Sequence, residues 1–572
     1  MPRTTSLRIA LSGLLLTSAV FYTPPAAQAQ GLVGAYLAAR EAGSRNDFTQ
    51  ATPYLERLLL SDPGNTVVLE GATVSALSGG QFERAVGRAR ELIALEPDNR
   101  AATLVLLIAG FDSEEYDAAL RFAENSQQLH PLVYGLAQAW AQMGQGRMSE
   151  ALEMFDSVSD LDGMTAFALY CRALALALVG DVEGAVALLE DPETGTSQSL
   201  NRRGFLAYAQ LLGLSERFDD ALDLLDTVFE GSSDPEVARM RAAFSQQTAL
   251  PFDLISTPAE GFAEVIAVLA NAMRSAGNTR EALLYAQGAV RINPDLLDAQ
   301  LMIGQIFEDL EQPDLALAAY GAVPRESVFD MSARMGRAQV LEATGANDQA
   351  IEELTALVDE YPQSFVAMQF LGDFQRREQR HDAAIMSYST AIQMMQDRGI
   401  PPTWQTWFSR AVSYERTGQW QAAEADFRAA LQIEPDQPTV LNYLGYSLVE
   451  RGEKLDEALD MIERAVAGQP DSGFIVDSLA WALYRLGRYD EALPHMERAV
   501  ELEPTDPVLN DHLGDIYWAV GRQREAQFQW RRALSFGPSD DMDSAVVRRK
   551  LEVGLDVVRV EQGEPPLRPA DG

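Results

Sequence analysis

The stretch that decides the fold is residues 404–435, WQTWFSRAVSYERTGQWQAAEADFRAALQIEP. Its small residues Ala411 and Ala423 are 12 positions apart, and bulky residues flank both of them at helical spacing. Pro435 closes the stretch, and proline cannot continue a helix. The pattern predicts two helices that pack closely at the small residues, because large side chains there would overpack the contact.

The same pattern returns along the chain with a period of 34 residues. Small residues 12 apart recur at Gly304 and Ala316, Gly372 and Ala384, Ala480 and Ala492, and Gly514 and Ala526. Prolines 34 apart recur at Pro63, Pro97 and Pro131, and again at Pro470, Pro504 and Pro538. The pattern resembles the tetratricopeptide repeat (TPR) over most of residues 32–538, with about fourteen units. The resemblance implies an all-α, right-handed superhelical solenoid of stacked helix-turn-helix hairpins.

Interruptions of the period predict how the chain is divided. The clearest interruption lies around Pro251 and Pro258, where turn-forming residues replace the repeat. A helix after the last repeat would cover its open end, and a proline-rich tail would follow it. The predicted parts are an N-terminal block, a linker, a C-terminal block, a capping helix and a disordered tail, at residues 30–244, 245–261, 262–538, 539–559 and 560–572.

The N-terminal residues are typical of a secretory signal peptide. Two arginines precede an apolar run from Ile9 to Tyr22, and the small-residue tripeptide Ala27-Gln28-Ala29 follows it. We predict cleavage after Ala29, removal of residues 1–29 and a soluble, exported protein. Gln30 stands where a lipoprotein would carry cysteine, so no lipid anchor is predicted, and no later stretch is apolar enough to cross a bilayer.

Charge and motif spacing argue against nucleic acid and against catalysis. The formal net charge of −39 repels phosphate backbones. Neither lysine, Lys454 nor Lys550, follows a glycine as a P-loop requires. The four histidines lack paired metal spacing, and no G-x-S-x-G elbow is present. We therefore predict no catalytic residue, no metal, no cofactor and no enzymatic activity.

The first helix of each hairpin is expected to line the inner wall of the solenoid. Side chains that directly follow the small packing residue turn away from the core contact, as Tyr446 does after Gly445 and Trp481 after Ala480. Rings there would supply buried area and polar groups would fix the direction of a bound peptide. The predicted peptide groove contains Asn442, Tyr446, Asp477, Trp481, Tyr484, Asp511 and Trp518. Alternatively, the rings fill gaps between neighbouring repeats.

The C-terminal third is similar to TPR proteins of the Gram-negative envelope. The runs that carry this resemblance are Leu441–Leu448, Asp477–Trp481 and Asp511–Asp515. That group includes lipoprotein adaptors that bring substrates to a carboxy-terminal processing protease. The resemblance implies a periplasmic scaffold or adaptor for envelope proteins or peptides, although the missing lipidation cysteine departs from the adaptor pattern.

Two other functions stay open at this point. Exposed aromatic residues also stack on sugars, so a chaperone-like role or binding of cell-wall glycan or exported polysaccharide is the alternative. A carboxylate-clamp co-chaperone is disfavoured, because Asp477, Asp511 and Asp515 stand where cations would be needed.

Overall fold

The computed structural model describes residues 31–124, 129–161, 163–191, 196–197, 200–230, 232, 234–537, 539 and 542–567. These residues form 31 helices and no strand, which confirms the all-helical architecture predicted from the repeat. The predicted signal peptide and its cleavage site at Ala29 lie outside the described residues. Within the described part, none of the helices combines the length and the apolar character needed to span a membrane.

The chain divides into two compact units, Met1–Gly345 and Ala346–Gly572. Residues 245–261, where the sequence predicts a linker, lie inside the first unit. Within that segment, residues 246–257 contain no helix and connect two helices of the same unit.

The first unit contains eighteen helices in its described part. They are α1 Leu32–Ser44, α2 Phe48–Leu59, α3 Thr66–Ser78, α4 Phe82–Leu95, α5 Arg100–Asp112, α6 Tyr116–Glu124, α7 Pro131–Gly144, α8 Met148–Ser159, α9 Thr165–Leu178, α10 Val182–Glu190, α11 Arg202–Leu214, α12 Phe218–Val228, α13 Pro235–Ser245, α14 Pro258–Ser275, α15 Thr279–Ile292, α16 Leu297–Asp309, α17 Pro313–Gly321 and α18 Asp330–Ala343.

The second unit contains thirteen helices in its described part. They are α19 Asn347–Glu360, α20 Phe365–Arg377, α21 His381–Asp397, α22 Trp404–Arg416, α23 Trp420–Ile433, α24 Pro438–Arg451, α25 Leu455–Gly468, α26 Gly473–Arg485, α27 Tyr489–Leu502, α28 Pro507–Ala519, α29 Gln523–Ser535, α30 Ser544–Val553 and α31 Leu555–Glu561.

Local sequence sets where these helices begin and end. The side chains of Asn65, Asn99 and Asp506 each accept a hydrogen bond from the backbone N–H three residues later. Such caps satisfy N–H groups that the first helical turn leaves without a partner. In the turns inside two hairpins, Gly418 and Gly521 adopt φ values of 73° and 89°, which glycine reaches without steric penalty.

Small residues allow the helices of a pair to approach closely. A Cβ atom placed on Gly514 would lie 2.4 Å from the Trp530 ring, across the contact between α28 and α29. A Cβ atom on Gly110 would lie 2.4 Å from the Cβ of Ala119, between α5 and α6. Both distances are shorter than side-chain carbon atoms tolerate, so these contacts require glycine.

In the first unit, the pair α14–α15 packs against earlier helices as well as against its neighbours in sequence. Helix α14 contacts α5, α7 and α9, and α15 contacts α3 and α5. The rings of Phe262 and Phe111 stack with centroids 4.2 Å apart, and Gly261 lies against the Trp140 ring. Since α3, α5, α7 and α9 are the first helices of their pairs, the chain itself covers the inner side of this part of the solenoid.

A buried ion pair fixes the start of α14 in that position. The Arg203 side chain on α11 donates to Glu264 at 3.0 Å, and the Glu264 side chain is 3% exposed. Burial raises the pKa of the Glu264 carboxyl, although the Arg203 guanidinium opposes this shift. A charge buried at this depth requires such a partner.

In the second unit, the first helices of successive pairs pack on one another, α24 on α26 and α26 on α28. This arrangement places them on the inner side of the solenoid. Beyond the last pair, the single capping helix expected at residues 539–559 is instead two helices, α30 and α31, separated at Gly554. The expected disordered tail also differs, because α31 continues to Glu561 and the Leu567 amide donates to Asp556 at 2.7 Å.

Candidate peptide-binding face

The inner side of α24, α26 and α28 carries the side chains that the sequence predicts as a groove. We call Asn442, Tyr446, Asp477, Trp481, Tyr484, Asp511 and Trp518 the inner face. Five of them, on α26 and α28, belong to one network of contacts that also includes residues of α30 and α31.

Trp481 lies at the centre of an aromatic stack. Its ring is parallel to that of His512, with centroids 4.0 Å apart, and stacks on Tyr484 at 4.8 Å. The indole N–H donates to the Glu450 carboxylate at 2.7 Å. The ring therefore joins three successive first helices, α24, α26 and α28.

His512 connects this stack to a carboxylate. Its Nδ1 atom lies 2.9 Å from Asp477 Oδ1. Burial disfavours the charged imidazole, but Asp477, together with Asp511 and Asp515, outweighs it and raises the pKa of His512. The three carboxylates thus favour the protonated form of the imidazole.

Asp511 and Asp515 hold a lysine from α30. Lys550 Nζ donates to the Asp511 carboxylate at 2.9 Å and to Asp515 at 2.8 Å. The lysine is 6% exposed, and the two carboxylates raise its pKa against the opposing effect of burial. Burial raises the pKa of Asp515 to about 6, although Lys550 acts in the opposite direction.

Helix α31 lies over Tyr484 and Trp518. The Trp518 indole N–H donates to Asp556 at 2.8 Å, and Arg559 donates to the Tyr484 hydroxyl at 3.3 Å. Gly554, which precedes α31, has a φ of 86°, and a Cβ atom there would come within 2.6 Å of the Trp518 ring. Glycine at this position therefore permits both the turn and the close approach.

Asn442 and Tyr446 lie on the preceding first helix, α24. Both side chains are half-buried, and the buried Oδ1 atom of Asn442 has no hydrogen-bond partner within the described part of the chain.

Sequence reasoning missed four residues that complete the face, namely His512, Lys550, Asp556 and Arg559. One signal pointed to Lys550, because the chain has two lysines among 45 basic residues. The other three residues carry no local signal, since each acts through contacts more than 30 residues away in sequence.

The sequence left open whether the rings line a peptide groove or fill gaps between neighbouring repeats. Trp481 has features of both, because its ring stacks on His512 of the next repeat while its N–H donates to the exposed Glu450. As for metals, the described residues contain no group of three or more histidine, cysteine or acidic side chains arranged to hold an ion.

Comparisons with known proteins agree with the repeat architecture. The chain is 25% identical over 191 residues to a TPR repeat-containing protein of Pseudomonas aeruginosa, which is 33% of this chain and 31% of that protein. It is 33% identical over 87 residues to bacteriophage adsorption protein A of Escherichia coli, which is 15% of this chain and 9% of that protein. The matched part is therefore less than a third of either relative.

Two solved structures match at lower identity. The crystal structure of an APC/C hetero-tetramer is 13% identical with a TM-score of 0.39, and the match covers 92% of this chain and 97% of that one. A tetratricopeptide repeat protein from Parabacteroides merdae is 14% identical with a TM-score of 0.37, and the match covers 45% of this chain and 98% of that one.

Two family models, both described as tetratricopeptide repeat, match the chain. One matches residues 375–536, and the other matches residues 74–131, 136–194, 301–365 and 335–397. Together these ranges cover more than half of the 572 residues. The chain belongs to the tetratricopeptide repeat family.

Proposed function

We propose that this protein is an exported, non-enzymatic scaffold that binds segments of partner proteins on the inner face of its second unit. The observation that supports this function best is that the face holds a helical segment of its own chain. Trp518 and Tyr484 contact α31 through one hydrogen bond each, and Lys550 of α30 lies between two carboxylates.

The chemistry of the face suits polypeptide. The half-buried rings of Trp481 and Trp518 offer apolar area, while the exposed Glu450 offers an acceptor for backbone or basic side-chain donors. A sugar would need a free ring to stack on, but the Trp481 ring already stacks on Tyr484 and on His512 of its own chain.

The cellular setting of this function is the bacterial envelope. The N-terminal arginines, apolar run and Ala27-Gln28-Ala29 tripeptide support export to the periplasm. The resemblance of the runs around Tyr446, Trp481 and Asp515 to envelope TPR adaptors supports a role in bringing partners together, including recruitment of substrates to an envelope protease.

Capture of partners from cells tests this function. The full-length protein and a Trp481→Ala variant are expressed in the native organism, crosslinked mildly in the envelope and purified, and the attached proteins are quantified by mass spectrometry. Loss of the central ring is expected to lower recovery of the specific partner by at least about tenfold, as at an interface hot spot.

Phe528→Ala is the matched control, because Phe528 is 60% exposed on α29, the second helix of its pair. This variant should recover the partner as well as the unaltered protein does. Circular dichroism and thermal unfolding establish that both variants are folded. If the folded Trp481→Ala variant captured the same partners at the same level, the inner face would not be the binding site.

A further inference from the structure

This inference rests on the proposed function. Helix α31, which already covers part of the inner face, indicates which kind of partner segment would bind there. We propose that the face binds a short amphipathic helix of a partner protein in place of α31. The partner helix carries an acidic residue followed three positions later by an arginine, as Asp556 and Arg559 stand in α31, with apolar residues at the positions of Leu555 and Val558.

The length of helix α31 and its connection to the rest of the chain favour its displacement. It has seven residues, far fewer than an isolated helix needs to be stable in water. Gly554 separates it from α30 at a φ of 86°. The ion pair that joins the two helices, Arg549–Glu561, is exposed and therefore holds them together only weakly. Its hydrogen bonds with the inner face are one from Trp518 and one to Tyr484, and beside them Leu555 and Val558 are each 3% exposed.

Helix α30, in contrast, is anchored independently of α31. Lys550 is buried between Asp511 and Asp515 at 2.9 and 2.8 Å, and Val547 is 1% exposed. If this lysine left, the two carboxylates would stay behind without a counter-charge, which is strongly unfavourable. The end of the solenoid therefore stays covered by α30 when α31 moves away.

When α31 leaves, the side chains that it contacted lose their hydrogen-bond partners. The Trp518 indole N–H is a donor only, so it requires an acceptor such as the carboxylate that Asp556 supplies. The Tyr484 hydroxyl accepts from Arg559 and can accept from an arginine of a partner in the same position. Leu555 and Val558 are each 3% exposed, so the replacing segment must also bury two apolar side chains beside the acid and the arginine.

Because α31 is tethered to the solenoid, it competes with any partner at an effective concentration on the order of millimolar. Weak segments are excluded, and only a segment that binds more tightly than α31, or is itself held nearby, gains access. The C-terminal helix thereby sets the threshold for binding at this face.

A peptide with the sequence of residues 554–567, GLDVVRVEQGEPPL, is the probe. It is labelled with fluorescein and titrated against the full-length mature protein and against an Asp556→Ala, Arg559→Ala variant, with binding measured by anisotropy. The variant removes the two hydrogen bonds between its own α31 and the rings of Trp518 and Tyr484, so the peptide should bind it at least about tenfold more tightly than the unaltered protein. A peptide carrying the same two substitutions should bind neither.

Val560→Ala is the matched control on the same helix, because Val560 is 58% exposed. Its affinity for the peptide should equal that of the unaltered protein. Hydrogen exchange gives a second measurement that needs no peptide: the amides of α31 should exchange much faster than those of α28, and faster still in the double variant. Equal peptide affinity for the protein and the double variant, absence of peptide binding to both, or α31 protection equal to that of α28 would each overturn the proposal.

The two proposals fail in different ways. If Trp481→Ala abolishes partner capture but the peptide does not bind, the scaffold function stands and the assignment of α31 as the competing segment is wrong. If the peptide binds the double variant and partner capture is unaffected by Trp481→Ala, the face binds α31-like helices but is not the site of cellular recruitment.

Discussion

Lys550 shows how one residue closes the end of an acidic solenoid. It is the lysine of α30, it is buried, and it pairs with two carboxylates of α28 at once. A single cation between Asp511 and Asp515 allows both acids to face the interior, because each is paired and hydrogen-bonded.

Substitution of Lys550 by methionine should therefore be far more damaging than the same change at the other lysine. Lys550→Met leaves two buried carboxylates without a counter-charge and is expected to destabilise the second unit by about 3–5 kcal/mol. Lys454→Met removes the exposed ion pair to Glu424 and should cost about 0–1 kcal/mol. Urea unfolding of both variants measures the difference, and equal midpoints would show that the Lys550 pairs contribute little.

His512 makes the same face sensitive to pH. Its pKa is raised, because the surrounding carboxylates outweigh burial. For a group whose folded pKa is raised, the contribution to stability is complete below the unfolded pKa of about 6.5 and is lost as the pH rises through the folded pKa.

Asp477→Asn should lower the pKa of His512, because burial then acts against the charged ring with a weaker opposing field. The same substitution should reduce the gain in stability that the protein shows between pH 8 and pH 6. NMR titration of the histidine ring protons follows the shift directly, and the other three histidines, elsewhere in the chain, are internal controls. An unchanged titration of His512 would mean that Asp477 does not determine its charge.

At the scale of the helices, close packing at glycine holds each pair together. Gly110 lies against Ala119 where α5 meets α6, with no room for a Cβ atom, whereas a Cβ atom on Gly87 in α4 would meet nothing within 4 Å. Substitution of Gly110 by alanine therefore tests packing between helices, and substitution of Gly87 tests the intrinsic preference of a helix for alanine over glycine.

Gly110→Ala and Gly87→Ala are expected to act in opposite directions. The first forces α5 and α6 apart and should destabilise the first unit by about 1–3 kcal/mol. The second replaces an exposed glycine inside a helix and should stabilise it by up to about 1 kcal/mol. Thermal unfolding followed by circular dichroism compares them, and stabilisation by both substitutions would show that the α5–α6 contact yields easily.

The helices were predictable from sequence because their determinants are local. Small residues 12 apart, bulky neighbours and a closing proline lie within one repeat, so residues 404–435 alone predict α22 and α23. Contacts between helices that are distant in sequence were not predictable in this way. Phe262 stacks on Phe111 across 151 positions of sequence, and no periodic pattern specifies that α14 and α15 cover earlier helices.

In the candidate face too, some residues could be named from local sequence and others could not. Trp481 directly follows Ala480, and Tyr484 and Trp518 stand four positions after Ala480 and Gly514, so the sequence alone was enough to name these rings as candidates. Asp556 and Arg559 lie after the last repeat, where no periodicity exists to place them, and their role depends on the turn at Gly554. The kind of segment that occupies the face was therefore not predictable from sequence.

For the whole molecule, unbalanced charge is the dominant electrostatic property. The chain has 84 acidic and 45 basic residues, so many carboxylates have no cation to pair with. Exposed ion pairs such as Arg464–Asp436 offset this repulsion locally, but each contributes about 0–1 kcal/mol at most. Repulsion among the remaining acids acts over the whole surface and opposes the folded state.

Salt should consequently stabilise this protein. Raising NaCl from about 0.01 M to about 0.15 M shortens the Debye length from about 30 Å to about 8 Å, which screens repulsion between distant carboxylates more than attraction within contact pairs. We expect the urea midpoint to rise over this range, and to rise equally in KCl, since screening depends on ionic strength and not on which cation is present. A midpoint that falls with salt would show that the surface ion pairs outweigh the net charge, whereas a rise in one salt alone would indicate binding of a particular cation.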